Sequence, residues 1–127
     1  MGLRVGVDRV MQNYKDLKVW QKAHSLAIEI YKVSKGFPKE EQFNITSQLR
    51  RASISIPTNI AEGSGKFSNK DFAKFLQISL GSANEVEYLV LFSHELDLLD
   101  NALFESFTNE IGEIRGMLIS LIKKVRD

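Results

Sequence analysis

The chain has no cysteine, two prolines, two histidines and one tryptophan in 127 residues, and each scarcity excludes something. Without cysteine there is no disulfide, thiolate metal site or cysteine nucleophile, a usage that fits a reducing cytoplasm. With so little proline and strong helix formers throughout, an all-α fold is expected. No apolar stretch approaches the ~18 residues of a membrane span. The opening Met1–Asp8 has too short an apolar run for a secretory signal. A cytoplasmic protein without membrane contact is expected.

The histidines carry no metal motif. Gln21 and Leu91 stand three residues before His24 and His94, so the Glu-x-x-His pairs of a di-iron bundle are absent. His94-Glu95 lacks the second histidine of a zinc-protease helix. Gly63-Ser-Gly65 is too short to cradle a phosphate unaided. No enzyme, metal or cofactor is expected.

What the chain does have is helical periodicity. Residues 1–13 show none and are expected to form a flexible extension, with Met11 an alternative start. Residues 14–127 are expected to form one four-helix-bundle domain. The first helix is placed from Tyr14 or Asp16 to Lys35, on the stripe Leu17, Trp20, Ala23/His24, Ala27, Ile30/Tyr31. Gly36 is expected as its left-handed cap. The second helix is placed from Ile45 to Glu62, with Asn44 or Thr46 as N-cap and Leu49, Ala52, Ile56 and Ile60 inward, ended by Gly63 and Gly65.

The third helix, long, opens on Ser68 and continues to Leu99. It has two stripes: Phe72, Leu76, Ser79, Ala83, Val86 and Val90, then Leu89, Phe92, Leu96 and Leu99. Two apolar faces ask for more than one neighbour. The fourth helix follows Asp100 or Asn101, with Phe104, Phe107, Ile111, Ile114, Leu118, Leu121 and Val125 alternating steps of three and four. Gly112 and Gly116 there offer close helix approach. Short connections make neighbours antiparallel, hence an up-down-up-down four-helix bundle.

The segment Gln48–Gly63 holds the strongest local feature. Pro57 falls inside the second helix with Ser53, Ser55, Thr58 and Asn59 around it, which predicts a kink whose freed backbone groups are served by such side chains. Arg50, Arg51 and Glu62 flank it. One reading makes an arginine structural, paired with an acid or with helix carbonyls. The other makes Arg50 or Arg51 a phosphate contact together with Lys66, Lys70 and Lys74. Lysines near a helix N-terminus oppose its dipole, which favours the polyanion reading for those three. Trp20 reads as core, and Tyr14 and Phe67 as weak stacking candidates.

The formal charge of +1 conceals an imbalance, +6 over residues 1–74 and −5 over residues 75–127. That split suits either a basic face for a polyanion or a head-to-tail contact between copies.

Asp16–Lys22, Phe37-Pro38, Gln48–Ala52, Ser55–Gly63 and the later Phe72, Phe75-Leu76, Gly81-Ser82, Glu85 and Glu87 together resemble small bacterial four-helix-bundle proteins encoded in intervening sequences of 23S rRNA genes. The likeness spans about residues 14–125, with Ser55-Ile-Pro-Thr-Asn-Ile-Ala-Glu-Gly63 its most specific string. The chain is also similar to the accessory variability determinant of diversity-generating retroelements. These resemblances imply a ring-shaped homopentamer that binds RNA or DNA and associates with a protein partner. Ser55, Pro57, Asn59, Glu62 and Gly63 match the family motif as structural residues, and Arg50 and Arg51 match it without an assigned role. The function expected is that of an oligomeric accessory protein binding structured RNA. The alternative is a scaffold that docks a protein partner without touching nucleic acid.

Overall fold

The computed structural model describes residues 13–126. The expected extension and the alternative start at Met11 lie outside them, Asn13 excepted. A 3-10 turn at Tyr14–Asp16 leads into four helices: α1 (Lys18–Ser34), α2 (Ile45–Ser64), α3 (Asn69–Glu95) and α4 (Asn101–Arg126). A second 3-10 turn, Lys39–Glu41, lies between α1 and α2.

The helix directions follow from which residues touch. Between α2 and α3, Gly63 lies against Phe72 and Phe75, Ile56 meets Ser79, and Ser55 meets Ser82. One number falls as the other rises, so the two helices are antiparallel. Between α3 and α4, His94 stacks on Phe104, while Arg115 reaches back to Glu87 and Asn84. Between α1 and α4, Leu17 shares a groove with Leu121, and Lys22 bonds Glu113. The result is an up-down-up-down four-helix bundle around one core of Leu26, Ile30, Leu49, Ile56, Ile60, Phe72, Leu76, Val86, Phe107, Ile111, Ile114 and Leu118. Alternating apolar steps of three and four put these residues on the inward face of each helix.

Several local expectations shift. The first helix begins at Lys18, because Tyr14–Asp16 closes as a 3-10 turn whose Asn13 side chain accepts from the Lys15 amide. Its buried stripe is Val19, Ala23, Leu26, Ala27, Ile30 and Ser34. Trp20 is therefore half-buried, and His24 and Tyr31 are exposed. Gly36 is not left-handed: among the described residues only Asp97, at φ 62°, has positive φ. The α1 end closes instead through the Gly36 and Phe37 amides on the Val33 and Ser34 carbonyls. Asn44 sits at the N-cap position of α2 but its side chain makes no cap bond; it donates to the Glu40 carbonyl.

The α3 cap is as expected, Ser68 accepting from the Asp71 amide at 3.1 Å. The helix stops at Glu95, and Asp97 turns the chain so that Leu99 is buried from the α3–α4 connection. Phe92 and Leu96 of the second stripe remain exposed. In α4, Ile122 is buried where Leu121 and Val125 are only partly so. A Cβ at Gly112 or Gly116 would meet nothing within 4 Å, so neither permits a close approach within the chain.

Candidate nucleic-acid interface

The motif around Pro57 proves to be the α2–α3 seam. Pro57 lacks the amide that would bond the Ser53 carbonyl, yet α2 runs through it as one helix. The next three carbonyls each receive a side-chain donor: Thr58 Oγ1 to Ile54 at 2.7 Å, Asn59 Nδ2 to Ser55 at 2.9 Å, and Ser79 Oγ from α3 to Ile56 at 2.8 Å. Asn59 also donates to the Ser55 hydroxyl, which pairs with Ser82 Oγ at 2.8 Å. Gly63 lies inside the helix and does not terminate it. A Cβ there would stand 2.7 Å from Phe75 Cβ, so glycine lets α3 approach. Ser55, Pro57, Asn59 and Gly63 thus set how α2 meets α3, and Glu62 faces solvent.

Arg50 is held against the end of α1. Its Nε donates to Ser34 Oγ at 2.7 Å and its Nη2 to the Tyr31 carbonyl at 3.1 Å, with the guanidinium 4.8 Å from the Tyr31 ring centroid. It serves one carbonyl and one hydroxyl in the last turn of α1, not the carbonyls freed by Pro57. Cations at a helix C-terminus are favoured by the dipole. Arg51 is exposed, about 20 Å along α2 from the end that carries Lys66, at 1.5 Å per residue. The five cations expected to act together are therefore divided.

Lys70 and Lys74 do come together. With Ala73, Gln77 and Arg126 they line an open groove of about 460 Å³ between the start of α3 and the end of α4. Lys66 lies in the α2–α3 connection, its Nζ 5.0 Å from the Phe75 ring centroid. Arg126, with Lys123 and Lys124 in the same last turn, was missed in the sequence. The antiparallel pairing of α3 and α4 was the signal that could have found it.

The groove belongs to a larger polarity. The end of the bundle formed by residues 14–26, 55–82 and 114–126 carries ten Lys/Arg and three Asp/Glu. The opposite end, residues 27–54 and 83–113, carries five and eleven. The chain-half imbalance thus becomes an end-to-end one, +7 against −6, because antiparallel packing gathers the basic starts of α1 and α3 with the basic end of α4.

Ion pairs join α4 to both of its neighbours. Arg115 forks onto Glu87 at 2.8 and 3.0 Å, holding that carboxyl below the usual carboxylate range and its own value above the usual arginine one. Lys22 bonds Glu113 at 2.9 Å, which raises the lysine. Among the described residues, no three His, Asp or Glu side chains gather to hold a metal. Nor is any helix long and apolar enough to cross a membrane.

Fold and surface together define a small all-helical bundle with one basic and one acidic end. The chain belongs to the 23S rRNA-intervening sequence protein family, whose model matches residues 15–120. Among solved structures it is similar to a protein with unknown function from the S23 ribosomal protein family of Bacteroides thetaiotaomicron. The two share 33% identity and a TM-score of 0.77, over 83% of this chain and 95% of that one. No functionally curated protein matches the sequence.

Proposed function

We propose that the protein is a non-enzymatic, oligomeric accessory factor that binds structured RNA in the cytoplasm through its basic end. The observation that carries this reading is the groove of Lys70, Lys74 and Arg126. Lys70 lies in the first turn of α3, where the helix dipole disfavours a cation, so helix stability does not account for it. No acidic residue lines the groove of Lys70, Lys74 and Arg126; cations so placed bind phosphates, and they orient a nucleic acid without reading its sequence. Arg51 would contact only a ligand long enough to reach along α2; Arg50, held by α1, would contact none.

Assembly as a ring-shaped homopentamer, the state implied by the family resemblance, belongs to the proposal. A ring presents the basic groove several times, and linked copies bind a long polyanion more tightly than one copy does. The alternative, a scaffold docking a protein partner, draws on the exposed aromatic face of α3.

The test is a fluorescence-anisotropy titration of a 23S-derived hairpin RNA and a matched DNA duplex, at low and physiological salt. Salt-dependent binding is expected, lost in the Lys70→Ala, Lys74→Ala, Arg126→Ala triple variant, with each contact removed lowering the salt slope by about 1. No binding at low salt would overturn the nucleic-acid reading and favour the scaffold.

A further inference from the structure

Among the apolar surfaces that the described residues leave uncovered, two differ in shape, place and charge. The first is a ridge on α3. Tyr88, Phe92 and Leu96 follow at four-residue spacing with 59%, 43% and 47% of their surface exposed, and the two rings lie 6.1 Å apart. Acids flank the pair. Glu85 and Glu95 lie one turn before and after on the same face, and Glu41 lines the groove beside both rings. The second surface is concave: a groove of about 300 Å³ between the start of α1 and the end of α4, lined by Leu17, Val19, Met117 and Leu121 with the exposed Lys18 and Lys124. The ridge lies at the acidic end and the groove at the basic end.

We propose that these are the two halves of one contact between copies of this chain, Tyr88 and Phe92 of one copy seating in the α1–α4 groove of the next. The proposal rests on the oligomeric part of the reading above and adds which surfaces meet. Exposed aromatic pairs fit the anchor role that dominates protein interfaces. Glu85, Glu95 and Glu41 then oppose Lys18 and Lys124, so charge selects the pairing as well as attracting it. The symmetric alternatives are disfavoured by the same residues. Ridge on ridge brings the glutamates together, and groove on groove brings the lysines together. A contact between unlike surfaces leaves one of each kind free on every dimer, so it must close into a ring or extend. The Lys70, Lys74 and Arg126 groove lies on the α3–α4 side and shares no lining residue with the α1–α4 groove.

The test is light scattering on the full chain and on two surface variants, Tyr88→Ala/Phe92→Ala and Lys18→Glu/Lys124→Glu, with circular dichroism confirming the helical fold of each. The expected result is an oligomeric wild type, two variants that are each monomeric at micromolar concentration, and a mixture of the two that forms dimers and nothing larger. Only an interface of two unlike halves behaves in that way, since each variant keeps one half intact. An oligomer that persists in both variants would overturn this contact and leave the oligomeric reading standing. A monomeric wild type would overturn both. The RNA titration of the triple variant is independent of either outcome.

Discussion

Ser79 of α3 donates its hydroxyl to the Ile56 carbonyl of α2 at 2.8 Å, one residue before Pro57. Both residues are fully buried, so the bond is made where water cannot replace it. It joins the two helices at the point where α2 has lost an internal hydrogen bond. Ser79→Ala is expected to destabilise the protein by about 1 kcal/mol, read as a lower urea midpoint at unchanged slope. A wild-type midpoint would mean that the bond adds nothing beyond packing.

Glycine substitutions should divide by what a new Cβ meets. At Gly63 it would stand 2.7 Å from Phe75 Cβ and 3.0 Å from Phe72 Cδ1, so Gly63→Ala is expected to cost roughly 1–3 kcal/mol through displacement of α3. At Gly112 and Gly116 nothing lies within 4 Å. Alanine there should stabilise α4 by up to ~1 kcal/mol per site through helix propensity. Thermal unfolding of the three single variants distinguishes the two effects.

Arg50 and Lys70 are expected to separate stability from binding. Arg50→Ala removes two donors from the end of α1 and should cost about 1–2 kcal/mol with RNA affinity unchanged. Arg50→Lys should not restore it, since one ammonium cannot reproduce the planar fork. Lys70→Ala should leave the unfolding midpoint in place and weaken RNA binding. A loss of RNA affinity in a folded Arg50→Ala protein would return that residue to the interface.

The Glu87–Arg115 pair gives a pH signature. Arg115 lowers the Glu87 value in the folded state, so its stabilisation is present above the unfolded carboxylate value and disappears as pH falls through the folded one. The side chains are 39% and 30% exposed, which limits the pair to roughly 0.5–1 kcal/mol at neutral pH. The difference in unfolding free energy between wild type and Glu87→Gln should shrink towards zero as the pH drops below the ordinary carboxylate range. A difference independent of pH would assign the effect to packing.

Helix number, core positions and the Ser68 cap were legible because each depends on residues within a turn or two of one another. The α4 seam from Phe107 to Leu118 reads directly as an inward stripe. In α1 the same rule found Ala23, Ala27 and Ile30 but passed over Val19 and Leu26, since Trp20, His24 and Tyr31 satisfy helical spacing as well as those two do. Which set turned inward depended on neighbours: Trp20 packs between Tyr14 and His24, and Tyr31 lies under Arg50. Gly63 read as a terminator because its neighbour across the seam, Phe75, lies twelve residues further on.

By itself, then, the amino-acid sequence determined an all-α bundle, its four helices within a few residues, its family, and a charge imbalance between its halves. These follow from short-range periodicity and from a contiguous motif. Only the tertiary structure decided which charges share a surface. Arg50 and Arg51 are adjacent in the chain, yet one is bound to α1 and the other faces water. Lys70 and Arg126 are 56 residues apart, yet they line one groove. Helical rotation of 100° per residue separates chain neighbours, and antiparallel packing brings distant helix ends together.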